Sequence, residues 1–276
     1  MVTGCSRGIG LELVRQLLEK KCDTIEKLFA TTRSESKELN ALKEKHPEKL
    51  FVVSLDINKK ESISAALEEV KKHTEYLDLL FNNSGMLAER AVPIEKVSAE
   101  AMIDCFTTNV VGTLHMCQTF MPLICKDPKG YIVNVSSYMS SIFHNYGGDT
   151  PYRVSKCALN MLTKNFSIEC PEKANFVVFH PGESLFFILY LFLFSYEPTI
   201  TRMAENRHGN CRRMAGESFL LLLLLIILLS NIFLFPTAQP PLTVEEGVKN
   251  IVNTLYDLKP ENNGQFIDLY GKIVPW

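Results

Sequence analysis

The sequence has almost no net charge: 29 Lys and Arg stand against 31 Asp and Glu, a formal −2. Acids and bases are spread throughout, so no basic stripe is left to follow a phosphate backbone, and a nucleic-acid partner is excluded. The eight cysteines contain no C-x-x-C pair, and the chain does not open on a charged and then apolar leader. Reduced thiols in a cytoplasmic setting are the expectation. Asn82-Asn83-Ser84, Asn134-Val135-Ser136 and Asn165-Phe166-Ser167 match the glycosylation pattern, but without a secretory route they carry no meaning. No residues are assigned to a metal. At 276 residues the chain is one large domain or two small ones, long enough to bury a core.

What is there is alternation. Segments 27–33, 50–56, 77–85, 131–136 and 175–180 are rich in apolar and β-branched residues and read as strands. Between them, 34–46, 62–72, 98–121 and 152–169 read as helices, the first stopped by Pro47 and the third near Pro122. Strand and helix follow one another with short links. That order predicts an α/β fold, a Rossmann-like doubly wound parallel sheet with helices on both faces. Ligands of such sheets bind beyond the C-terminal strand ends.

The first link is Thr3-Gly4-Cys5-Ser6-Arg7-Gly8-Ile9-Gly10, a glycine-rich turn running into a helical apolar pattern from Leu11. Glycines let a backbone approach a pyrophosphate, and a helix N-terminus offers it unpaired N–H groups. Only Met1 and Val2 precede the turn, so its strand reads as cut short. After the second strand an acid is missing where one could bind a ribose 2′-hydroxyl. Arg7 and Arg33 could instead reach a 2′-phosphate, which favours NADP over NAD. Asp56 could meet the adenine edge or cap the next helix. Asn82 and Asn83 could hold the turn beside the cofactor or make an ordinary Asx turn.

Tyr152 and Lys156 stand four apart on one helix, so they share a face. A free phenol titrates near ~10, and a neighbouring ammonium favours its ionised form. The pair suits an acid/base that protonates a carbonyl oxygen or deprotonates an alcohol. Ser137, beyond the 131–136 strand, would face the same cleft and could hydrogen-bond a substrate oxygen. Within 98–121, Thr107-Thr108-Asn109-Val110-Val111-Gly112 is a poor helical stretch that can harbour a π-bulge and free a backbone group. Otherwise Asn109 is a satisfied core amide.

The set Thr3-Gly4-x-x-x-Gly8-Ile9-Gly10, Asn82-Asn83-Ser84-Gly85, Asn109, Ser137, Tyr152-x-x-x-Lys156 and Pro181-Gly182 resembles the short-chain dehydrogenase/reductase family in order and spacing. Ser84 replaces the usual alanine. Ala158-Leu159-Asn160, the ending 263–276 and the slightly long loop from Ser137 to Tyr152 resemble the sniffer-type carbonyl reductases and related C-factor proteins. The resemblance covers 1–182 and about 237–276. It implies Tyr152 as the acid/base, with Lys156 lowering its pKa and binding the nicotinamide ribose. It further implies that Ser137 orients the carbonyl and that Asn109 holds a water linking Lys156 to solvent. Cofactor contacts would come from Gly4, Ser6, Arg7, Gly8, Ile9, Gly10, Arg33, Asp56, Ile57, Asn83, Ser84, Gly85, Pro181 and Gly182, with Tyr152 and Lys156. The implied reaction is NADP(H)-dependent reduction of a small carbonyl substrate, with a homodimer left open. The chain would be a single domain, 1–276.

Residues 183–236 depart from that pattern as an anomalous hydrophobic insertion. The family follows Pro-Gly with a Val/Ile and a Thr against the nicotinamide amide. Here Glu183-Ser184 leads into the apolar run 185–194, a basic stretch with Arg202, Arg207, Arg212 and Arg213, and a second apolar run, 219–235. One reading is a membrane hairpin through 185–235, although the first run is far short of the ~20 residues a span needs. In it the arginines would cross the membrane, against the positive-inside tendency. A second is a substrate lid, whose exposed Leu and Phe would be an aggregation hazard. A third is non-native coding, such as translated intron. With the nicotinamide wall interrupted, a catalytically impaired, cofactor-binding or membrane-associated protein is the alternative to an active reductase.

Overall fold

The apolar runs read as strands are strands in the computed structural model, which describes residues 1–20, 22–182 and 242–276. They are β1 (Leu28–Thr32), β2 (Leu50–Ser54), β3 (Leu79–Asn82), β4 (Tyr131–Val135), β5 (Asn175–His180) and, late in the chain, β6 (Phe266–Asp268). β1 pairs with β2, and β3, β4, β5 and β6 pair in that order, all parallel. Residues 1–3 join the two ladders: Val2 bridges Ala30 on one side and Phe81 on the other. The Val2 N–H donates to the Phe29 carbonyl at 2.8 Å and the Thr3 N–H to the Phe81 carbonyl at 3.0 Å. Short as it is, the opening segment pairs on both edges.

Parallel strands need crossovers, and helices supply them. α1 (Gly8–Lys20) packs against α2 (Lys37–Lys45) and α7 (Val244–Tyr256). α3 (Lys60–Lys71) packs against α5 (Thr113–Phe120), and α4 (Ala99–Phe106) against α6 (Thr150–Glu169). Two separate helix groups on one parallel sheet make the expected doubly wound architecture. The core includes Phe29, Leu80, Phe120, Ile132 and Phe176, each no more than 1 % exposed. Residues Met1–Gly182 and Val244–Trp276 form this unit.

Two local departures matter for function. The helix expected over 34–46 starts only at Lys37, because the buried Ser36 is its N-cap and accepts from the Leu39 N–H at 3.3 Å. Residues 33–36 are therefore loop at the end of β1. The helix expected over 98–121 is continuous, but Thr107–Gly112 is a π-helical turn between α4 and α5. The weak stretch does interrupt the α-helical ladder. Both apolar runs of 183–236 and the arginines between them lie outside the described residues. Among the described residues no helix is long and apolar enough to cross a membrane.

Candidate active site

A cleft of about 1010 Å³ opens at the C-terminal ends of β1, β2 and β3. The glycine turn forms one wall and is held from behind by the end of β3. Thr3 Oγ1 accepts from the N–H groups of Asn83 and Ser84, both at 3.0 Å. The Asn83 amide donates back to the carbonyls of Thr3 at 2.9 Å and Gly4 at 3.2 Å. Gly4 has φ +71°, and a Cβ there would lie 2.9 Å from the Ser84 hydroxyl. A Cβ on Gly10 would lie 2.4 Å from the Gly4 carbonyl oxygen, so the turn closes on α1 only with glycine at that position. The Asx-turn alternative for Asn83 gives way to this clamp on the loop.

Gly4, Ser6, Arg7, Gly8, Asn83, Ser84 and Gly85 line the cleft on the turn side, and Arg33, Asp56 and Ile57 line it from β1 and β2. Ile9, Gly10, Tyr152, Lys156, Pro181 and Gly182 do not; Gly10 serves packing, and Pro181 and Gly182 follow β5. Asp56 makes its own turn, its Oδ1 accepting from the Asn58 N–H at 3.1 Å. Lys37, in the first turn of α2, was missed from sequence and lines the cleft with Arg7 and Arg33, as do Glu35 and Glu38. Ser36 Oγ donates to the Ser6 carbonyl at 3.2 Å, tying this cationic rim to the glycine turn. Exposed arginines, a lysine and the N-terminus of α1 form a donor set suited to phosphates.

The second group of residues sits where β4 meets α6. Lys156 Nζ lies 5.8 Å from the centroid of the Tyr152 ring and donates to the Val135 carbonyl at 2.7 Å. The Ser137 hydroxyl faces the Tyr152 phenol and favours its ionised form. Asn109 is fully buried. Its Oδ1 accepts from the Met86 N–H at 2.7 Å, while Nδ2 donates to the Met86 carbonyl at 2.8 Å and to Ser155 Oγ at 2.9 Å. Its backbone carbonyl accepts from Thr113 Oγ1 at 3.0 Å. The Asn109 side chain thus pins the loop after β3 to α6. Gly85 joins the two groups: a Cβ there would be 3.3 Å from Asn109 Oδ1 and 3.4 Å from Lys156 Nζ. Gly85, itself a lining residue of the cleft, thus lies directly against the ammonium.

Electrostatics departs from the sequence expectation. Burial pushes the Tyr152 phenol up to about 12, opposed by the Ser137 hydroxyl and by Arg90. Burial likewise pulls Lys156 down to about 8. The expected acidification of the phenol by Lys156 is not found. Desolvation penalises both charged forms and is the largest cause of each shift. Arg90, a group the sequence did not single out, lies between Glu89 and Ala91, which have φ of 48° and 55°. The Ala91 N–H donates to Asp149 Oδ1 at 2.9 Å, latching this loop to the N-cap of α6. No periodicity marks such a loop, so nothing in the sequence pointed to it.

Comparison with known proteins places these features. A short-chain dehydrogenase family profile matches residues 1–184. The solved carbonyl reductase Sniffer of D. melanogaster is 25 % identical with a TM-score of 0.74, over 100 % of this chain and 98 % of that one. The NADPH-bound carbonyl reductase from chicken fatty liver is 28 % identical with a TM-score of 0.72, over 100 % and 97 %. Benzil reductase, (S)-benzoin forming, of Saccharomyces cerevisiae is 30 % identical over 194 residues, covering 66 % of this chain and 70 % of that protein.

Proposed function

Since the chain belongs to the short-chain dehydrogenase/reductase family, we propose that it reduces an aldehyde or ketone to the alcohol with NADPH. The observation that supports this reading is the Ser137–Tyr152–Lys156 cluster, with Gly85 of the phosphate-suited cleft packed against the Lys156 ammonium. NADPH, when bound, supplies the hydride. Arg7 and Arg33, with Lys37 beside them, would hold its 2′-phosphate, and the α1 N-terminus its pyrophosphate. Ser137 and Tyr152 present two hydroxyls to the carbonyl oxygen. Tyr152 then gives up its proton, and the O–H of the alcohol forms as the phenol O–H breaks. The Lys156 ammonium stabilises the phenolate left behind.

A phenol held near 12 stays protonated at neutral pH, which suits an acid donor. Reduction is therefore favoured over alcohol oxidation, which needs the phenolate. Lys156 is charged below about 8 and neutral above it, while Tyr152 keeps its proton. The reduction rate should be flat up to about pH 8 and then fall, approaching tenfold for each further unit; a rate rising through that range would contradict these roles.

Removing Arg7 and Arg33 together, as Ala, should raise the KM for NADPH by about 10- to 100-fold, ~1.5–3 kcal/mol in all, because both arginines are exposed and each contact is screened by solvent. KM for NADH should change little. Equal effects on both cofactors would remove the 2′-phosphate assignment.

The family match stops at residue 184, where the atypical segment begins. That favours one second reading, a protein that binds NADPH without turning over. NADPH oxidation with a panel of small carbonyls, run beside Tyr152→Phe, separates the two. Cofactor binding without Tyr152-dependent turnover supports the second. We read 1–182 and 237–276 as one NADP-binding domain. A reducing compartment, the cytoplasm, fits its free described cysteines. The partner that reading carries is a second copy, supported by Val154, Met161 and Ile168 exposed at seven-residue spacing on α6.

A further inference from the structure

Asn160 lies one helical turn beyond Lys156 and two beyond Tyr152, so α6 presents all three on one side. It is 3 % exposed and has no reach to the cleft. Its amide is nonetheless engaged at both ends, with the two serines that bracket Ser137. The Ser136 hydroxyl donates to Asn160 Oδ1 at 2.6 Å, and Asn160 Nδ2 donates to Ser140 Oγ at 2.8 Å. The Ser140 hydroxyl then donates to the Ser137 carbonyl at 2.5 Å. Ser136 and Ser140 are each 2 % exposed, so none of these groups has water to fall back on. The chain of donors runs one way, from Ser136 through Asn160 and Ser140 to the backbone of Ser137. Only a side chain that accepts and donates at once can stand in its middle; Asp cannot donate and Leu can do neither. Lys156 fixes the residue before this turn, through the Val135 carbonyl.

We propose that Asn160 is a positioning residue, holding the turn of Ser136 to Ser140 against α6 so that the Ser137 hydroxyl meets the Tyr152 phenol. It touches no reacting atom and acts through Ser137. The inference rests on the carbonyl-reductase reading for its kinetic consequence, but not for its structural one.

Two measurements test it. In amide hydrogen exchange, Asn160→Leu should speed exchange of the Met139 and Ser140 amides, which donate to Ser137 Oγ and to the Ser137 carbonyl, by at least tenfold. The amides of β5 should be unaffected. In turnover, Asn160→Leu should lower kcat 10- to 100-fold with the KM for NADPH within threefold. In a Ser137→Ala background the same substitution should cost less than threefold, since its route is gone. Ser140→Ala, which cuts one link at a hydroxyl, should reproduce both effects in weaker form and serves if Asn160→Leu does not fold. Unchanged exchange at Met139 and Ser140, or a full kinetic loss persisting in the Ser137→Ala background, overturns the proposal. A wild type without carbonyl reduction would defeat the reductase reading and leave the exchange result to decide this one.

Discussion

Tyr152→Phe is expected to lower kcat for carbonyl reduction by about 10³-fold or more while leaving NADPH affinity within about threefold. The substitution removes one oxygen and keeps the ring, so packing around the half-buried side chain and the approach of Lys156 Nζ to the ring face are retained. What is lost is the only group in the cluster placed to release a proton that is then stabilised as an anion by an ammonium. Ser137 would still hydrogen-bond the carbonyl, but a serine hydroxyl is too weak an acid to replace the phenol. Ser137→Ala, which leaves the acid in place, should cost less. Steady-state kinetics, fluorescence titration of NADPH and thermal unfolding together isolate the effect: kcat falls, while Kd and Tm hold. Turnover that survives in Tyr152→Phe would mean that the proton comes from another group and would dismantle the mechanism.

The sheet was legible because buried parallel strands carry dense apolar runs and the helices between them do not. Both periodicities survive in single segments such as 50–54 and 60–71. The π turn was legible for a related reason, since β-branched residues, Asn and Gly in the middle of a helix mark a weak ladder. The start of α2 was not. Ser34 and Ser36 are equally good caps by residue type, and the choice between them is made by the tertiary bond from Ser36 to the Ser6 carbonyl. Lys37 was missed with it. Spacing also gave the meeting of Tyr152 with Lys156 but not the sign of the pKa shifts, because desolvation depends on what covers the pair and not on the interval between them. Asn160 was visible only as part of a resembling tripeptide; its bonds to Ser136 and Ser140 come from residues 24 and 20 positions away.

Burial makes Lys156 costly to the fold. A lysine at 3 % exposure with a pKa lowered from 10.5 to about 8 is charged at pH 7 at the expense of folding, by about 3 kcal/mol. Lys156→Met keeps the length of the stem and removes the charge. The Val135 carbonyl then loses its donor, at a cost of about 1 kcal/mol, so a net gain of about 1–2 kcal/mol remains. At pH 7 this should raise Tm by roughly 2–8 °C, while kcat drops by about 10²-fold or more because the phenolate has no counter-charge. The pH dependence separates this account from a general packing effect. Between about 8 and 10.5 the unfolded wild type binds a proton that the folded one has released, so wild-type stability climbs with pH across that window. Lys156→Met has no such group, and its advantage should shrink through the window and be gone above 10.5. A variant that is less stable than wild type at pH 7, or whose advantage is the same at both ends of the window, would show that Lys156 holds the fold together. The opposite result would make it a residue that strains the fold and is needed for the chemistry.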